Sequence, residues 1–197
     1  MPKSLRKITA DDILDVESFG AKRKELRAAL APAKRKRRIH VGPDCTFYFE
    51  SFETMLFQVQ EMLYIEKGGD AQLQDELSAY NPLIPNGDEL VATMMFEIND
   101  PVRRLNLLMK LGGVENHVFL QINGEKIYAI PEDDAERTSA DGKTSSVHFF
   151  HFPFSEGQKA AFVDPENTVF LGIDHQDYGH MSALSRETIC ELAFDFS

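Results

Sequence analysis

Val118-Phe119-Leu120-Gln121-Ile122-Asn123-Gly124-Glu125-Lys126-Ile127-Tyr128-Ala129 reads as two antiparallel strands about a two-residue turn. Asn123-Gly124 suits a type I′ turn, which needs φ > 0 at both central residues. That turn pairs Ile122 with Glu125, Leu120 with Ile127 and Val118 with Ala129 on one face. The other face pairs Phe119 with Tyr128 and Gln121 with Lys126. Turn chemistry and apolar pattern therefore agree on one register. Further strands are predicted at Thr46-Phe47-Tyr48-Phe49, from Leu90 to Ile98, from Val147 to Phe154 and from Thr168 to Ile173. Aromatic and β-branched content or strict alternation marks each of them.

Helices separate these strands. Ser51 caps one that runs to about Lys67, with Phe52, Met55, Leu56, Val59, Met62 and Leu63 on one face at helical spacing. Phe57 and Tyr64 form a second apolar stripe, which predicts cover on more than one side. Asp70, Asp100-Pro101, Ser155 and Ser185 each open a further helix. Thr9-Ala10-Asp11-Asp12 has the form of a capping box, predicting a short helix to about Ser18. Gly20 is expected to interrupt it. A second helix from Ala21 to Leu30 should end at Pro32, before the basic run Lys34-Arg35-Lys36-Arg37-Arg38. Residues 131–145 are polar and acidic and read as a loop. The expected architecture is α+β, a basic helical arm at 1–38 followed by a single domain at 39–197. That domain holds a partly antiparallel sheet of about five or six strands flanked by helices.

The chain has 197 residues, 43% of them apolar, and a formal net charge of −11. Residues 1–40 carry 12 Lys/Arg against 5 Asp/Glu, a net of +7. The remaining 9 Lys/Arg face 27 Asp/Glu, a net of −18. The basic arm could take nucleic acid. The acidic remainder and the lack of interleaved stacking aromatics favour pairing with the acidic body of this chain, or of a second copy in a homo-oligomer. No stretch reaches the length of a membrane span. Met1 to Thr9 is basic without an apolar region behind it, so no signal peptide is expected. Cys45 and Cys190 have no partner at metal-ligand spacing and read as reduced thiols in a cytoplasmic protein. No nucleotide-cofactor, metalloprotease or serine-hydrolase signature is present.

Four places could carry chemistry. Asp174-His175 sits where a strand ends and is followed closely by His180; His and carboxylate are ligand types for zinc or iron. The plainer reading is a strand-to-loop corner bonded to backbone. His117 opens the hairpin strand and could approach Asp174. His148 and His151 are three apart on a strand and face opposite ways, so they cannot share an ion. Glu50, Gln58 and Glu61 are the polar residues of the central strand–helix unit. A half-buried Glu61 needs a partner, and Arg103 or Arg104 would supply an ordinary salt bridge.

Phe49-Glu50-Ser51-Phe52-Glu53-Thr54-Met55-Leu56-Phe57-Gln58-Val59-Gln60-Glu61-Met62-Leu63 resembles a bacterial family of unknown function, the one numbered 3501. The likeness continues through Tyr80-Asn81-Pro82-Leu83-Ile84-Pro85, Glu89-Leu90-Val91-Ala92-Thr93, His117-Val118, Ser145-Ser146-Val147 and Asp174-His175-Gln176-Asp177-Tyr178. The chain departs from the family pattern at Ser51-Phe52, where the pattern has Asn-Arg, and at Gln176, where it has Pro. The resemblance implies no established activity. Through genes of rubrerythrin-like and iron–sulfur oxidoreductase proteins that neighbour the family's own, it implies an accessory role beside a redox protein partner. The matching positions are Glu50, Gln58 and Glu61 as ligand-binding residues, with His117, Asp174, His175 and Tyr178 as candidate ligands of zinc or iron. The two leading expectations are thus an accessory binding protein and a metal-binding protein or enzyme.

Overall fold

In the computed structural model, which describes residues 6–132 and 143–196, the Asn123-Gly124 turn joins β4 (Val118–Ile122) to β5 (Glu125–Tyr128). Asn123 has φ 51° and Gly124 φ 86°, as a type I′ turn requires. The register is Phe119 opposite Tyr128, Leu120 opposite Ile127, Gln121 opposite Lys126 and Ile122 opposite Glu125. The Ala129 N–H donates to the Val118 carbonyl at 2.9 Å.

The protein is α+β, but its strands form two antiparallel sheets where one was expected. One sheet has the order β1 (Arg38–Val41), β2 (Cys45–Phe49), β3 (Glu89–Phe96), β7 (Val147–Pro153) and β6 (Ile130–Pro131). The other has the order β5, β4, β8 (Val169–His175) and β9 (Tyr178–Ala183). The additional strands are β1, β6 and β9. β6 is two residues long and β9 is nearly all exposed, so neither carries an alternating signal, while β1 alternates over only four residues directly behind the basic run. The two sheets share one core. Phe47, Phe49, Phe150 and Phe152 from the first meet Leu120, Leu171 and Ile173 from the second, all essentially buried. Side chains of this size contribute about 1.5–3 kcal/mol each on burial. Their alternation along the strands makes each sheet present one apolar face inward.

Helices cover the other face of the five-stranded sheet. The Ser51 capping box holds α2 (Phe52–Glu66) at its start, and α3 (Gly69–Tyr80) follows. Phe52, Met55 and Val59 pack with Leu83, Ile84 and Val91 in a second apolar cluster. The opposite side of α2 meets α1 (Val16–Lys36), so α2 is covered on more than one side. Asp100 caps α4 (Pro101–Leu108), Ser155 caps α5 (Glu156–Val163), and Ser185 caps α6 (Arg186–Leu192).

The N-terminal segment departs most from expectation. The Thr9–Asp12 capping box forms, but it opens only a three-residue 3-10 turn, Ala10–Asp12. Asp15 caps α1, which runs unbroken through Gly20 and Pro32 for 21 residues. Gly20 is a crossing point, since a Cβ there would lie 2.8 Å from the Tyr64 ring of α2. An internal proline costs about 3 kcal/mol, and α1 carries it between the Arg27–Glu61 and Lys36–Glu187 ion pairs. The segment is no separate arm. Ile8 and Phe19 are each 1% exposed, and Ile8 belongs to the second apolar cluster. Most of the expected 131–145 loop lies outside the described residues.

Candidate functional site

Strand β2 ends at Phe49, and the next residue turns toward α2. There Glu50 donates its backbone N–H to the Val91 carbonyl at 2.8 Å. Its carboxylate is buried, with 8% of the residue exposed. The Thr54 hydroxyl, one turn along α2, donates to Oε2 at 2.6 Å, and the Thr93 hydroxyl, on neighbouring β3, donates to Oε1 at 2.7 Å. Burial pushes the Glu50 pKa above the ordinary carboxylate value, while the two hydroxyls, Lys34 and Arg37 oppose that rise. A carboxylate can accept about four hydrogen bonds, and the two threonines take two.

A cavity of about 330 Å³ opens over this carboxylate. Its floor is the outer face of the five-stranded sheet. Tyr48, Thr93 and Phe149 stand side by side on one rung, and Met95 and Val147 on the next. Met55 and Gln58 of α2 form one wall, and Tyr80 with Leu83 another. The C-terminal end of α1 brings the exposed Lys34 to the rim, with the buried Arg37 beside it. Gln58 lies with its amide 3.5 Å from the Tyr80 hydroxyl. An adjoining cavity of about 390 Å³ shares Lys34 and Gln58 and continues to Arg27 and Glu61. Glu50, Gln58 and Glu61, singled out from sequence, thus line one continuous tract.

Glu61 does not pair with Arg103 or Arg104. Arg23 grips it with two bonds, at 2.8 and 2.7 Å, and Arg27 adds a third at 3.1 Å. These arginines, Arg23 foremost, hold the Glu61 pKa below its ordinary value. Arg103 instead meets Asp44 at 2.7 Å, and Arg104 bonds the Ile98 carbonyl. The expectation failed because α1, whose arginines reach Glu61, was read as an arm apart from the body.

The basic run also turns inward. Arg37 is 4% exposed and bonds both oxygens of Asp195, at 2.8 and 2.9 Å, and Glu191 at 3.2 Å. It donates as well to the Glu50 carbonyl at 3.0 Å. Lys36 meets Glu187 at 3.4 Å and Arg38 meets Glu97 at 3.8 Å. Three of the five basic side chains in the run therefore face carboxylates of this same chain.

The other candidates gather at the end of β8. His117 Nδ1 lies 3.0 Å from Asp174 Oδ1, and the His117 and His175 rings meet edge to face at 5.1 Å. Asp174 and His175 are consecutive on the strand and face opposite ways, one exposed and one buried. Asp174 Oδ2 accepts from Lys126 at 2.6 Å and from Tyr128 at 2.9 Å. Burial opposes its charge, yet Lys126, Tyr128 and His117 keep its pKa below the ordinary range. His175 Nδ1 accepts from the Asp177 N–H at 3.2 Å, the strand-corner arrangement. Tyr178 points into the core. Its hydroxyl donates to the Val41 carbonyl at 2.9 Å and accepts from the Asp44 N–H at 3.0 Å, and burial pushes its pKa up to about 12. Among the described residues, no group of three or more His, Cys, Asp or Glu side chains is placed to hold one metal ion.

Sequence reasoning missed Lys34, Thr54, Thr93 and Tyr80 as cavity residues. Thr93 shares its strand face with Met95, and that alternation was the available signal. The sequence named His151 but not its partners: it is set between Glu89 at 3.0 Å and Glu132 at 2.7 Å. As expected, His148 and His151 do not share a face: His148 is buried and His151 half-buried.

Among the described residues, no helix is long and apolar enough to cross a membrane. A comparison with curated proteins finds no match. Among solved structures the chain is similar to a protein of unknown function from Burkholderia pseudomallei, at 33% identity and TM-score 0.88, covering 97% of this chain and 100% of that one. The model of the family described as protein of unknown function (DUF3501) matches residues 7–196, and the chain belongs to that family.

Proposed function

We propose that the protein is an accessory binding protein that holds a small molecule in the cavity over Glu50. The observation that carries this reading is a buried carboxylate with spare acceptor capacity, set in the floor of an otherwise largely apolar cavity. Such a combination of apolar walls and few convergent polar groups is the usual form of a ligand site. Screening a chemically diverse fragment set by protein-observed NMR tests it. Hits should shift the resonances of Thr54, Gln58 and Thr93 together, and a set that leaves all three unmoved overturns the reading. The wider role, service to a redox partner in the cytoplasm, rests on the family resemblance. The two free thiols, Cys45 and Cys190, fit a reducing compartment. Affinity capture with the purified protein tests that role, and recovery of an iron–sulfur or rubrerythrin-like partner is its expected result.

The second reading is zinc or iron at His175 with His117, Asp174 and Tyr178. The 5.1 Å approach of the two imidazole rings favours it. The bonds that engage Asp174 on both oxygens and bury the Tyr178 hydroxyl weigh against it. Stoichiometric metal by elemental analysis, lost in His175→Ala, would promote it over the first.

A further inference from the structure

The charge along the tract narrows what could occupy it, and this step rests on the binding reading above. Lys34 is exposed at the rim, and among the described residues no carboxylate lies within ion-pair distance of its ammonium. It is also the side chain, together with Gln58, that the two adjoining cavities share. Arg37 beside it is already held on both oxygens of Asp195. The site thus offers one uncommitted cation. The same cavity holds the buried Glu50 carboxylate, with acceptor positions left over after Thr54 and Thr93. The apolar side chains of Met55, Met95 and Phe149 line the same cavity.

We propose that this tract takes a small amphipathic monocarboxylate, its carboxylate on Lys34, its apolar body against Met55 and Phe149, and a hydroxyl or amine donor on Glu50. A phosphate dianion fits poorly. It calls for several donors or an arginine fork, whereas one lysine is uncommitted here. A purely cationic amine would satisfy Glu50 but would meet Lys34 and Arg37 as like charges. The cavity volume of about 330 Å³ matches a ligand of one ring or a short branched chain.

The test uses the full chain and four probes: para-hydroxyphenylacetate, phenylacetate, tyramine and inorganic phosphate. Calorimetry and NMR shifts at Thr93 report binding to wild type, Lys34→Gln and Glu50→Gln. Lys34→Gln lies on the exposed side of a helix end, so it retains the fold. The proposal expects para-hydroxyphenylacetate to bind wild type and to weaken roughly tenfold or more in Lys34→Gln. Phenylacetate, which lacks the donor, should bind more weakly than its hydroxylated analogue in wild type, with the gap closing in Glu50→Gln. Tyramine and phosphate should not displace the hydroxylated acid. Preferential binding of tyramine or phosphate overturns the ligand class and leaves the binding cavity standing. Fragment hits at Thr93 combined with silence from all four probes have the same meaning. Silence from the four probes and from the fragment set overturns both.

Discussion

Arg37 and Asp195, 158 positions apart, form a two-point ion pair at 2.8 and 2.9 Å inside the protein. The side chains are 5% and 2% exposed. The pair ties the end of α1 to the C-terminal turn and, through the Glu50 carbonyl, to the floor of the cavity. Burial works against the Arg37 charge, and Asp195 with Glu191 more than offsets it, raising the Arg37 pKa. Removing one partner leaves the other charge buried alone. Arg37→Met should therefore cost about 3–5 kcal/mol in urea unfolding, and Arg37→Met with Asp195→Leu markedly less. Equal losses in the single and double variants would show that the pairing is not the source of the cost.

Glu50 shows the opposite balance, because its burial favours the protonated form. A raised carboxyl pKa means that the folded state binds more protons than the unfolded one above pH 4.5, the ordinary value. Stability therefore falls as pH rises through the folded pKa. Glu50→Gln removes this dependence and keeps hydrogen-bonding capacity toward Thr54 and Thr93. Its urea midpoint should match or exceed wild type at pH 7, and its advantage should shrink toward pH 4.

His151 has the other sign. Glu89 first and Glu132 next raise its pKa, against burial. Its contribution to stability is fully present below about pH 6.5, the ordinary value, and is lost as pH climbs through the raised folded value. An imidazole NMR titration should place the midpoint above 6.5. His151→Gln should lower stability at pH 6 and converge on wild type at high pH.

Tyr178 bonds two buried backbone groups, so Tyr178→Phe should cost about 1–3 kcal/mol by leaving them unpaired. Gly42 lies against the same ring. Its φ is +70°, and a Cβ there would fall 2.8 Å from the Tyr178 hydroxyl and 2.6 Å from His180. Gly42→Ala should likewise destabilise, by about 1–3 kcal/mol. A thermal melt of each variant decides this. Wild-type stability in Tyr178→Phe would remove the tyrosine from its structural role and reopen it as a metal ligand.

Much of the local structure was legible. The Asn123-Gly124 register, the Ser51, Asp100, Ser155 and Ser185 caps, and the opposed faces of His148 and His151 all depend on neighbours within a few residues. Glu50 and Gln58 were visible as polar residues in an apolar unit. Their convergence with Lys34, Tyr80 and Thr93 was not, because those residues come from α1, α3 and β3. Gly20 and Pro32 misled for a related reason. Both weaken a helix in isolation, and α1 is held by what it packs against.

The sequence by itself determined the α+β class, the hairpin register, the helix starts at Ser51, Asp100, Ser155 and Ser185, and the uneven charge. Each follows from backbone geometry and side-chain periodicity over short stretches. The tertiary structure alone decided that the strands divide into two sheets, that the basic segment is built into the body, and that Glu61 belongs to Arg23. These outcomes depend on which distant surfaces bury one another, and a desolvated charge takes whichever opposite charge the packing brings to it.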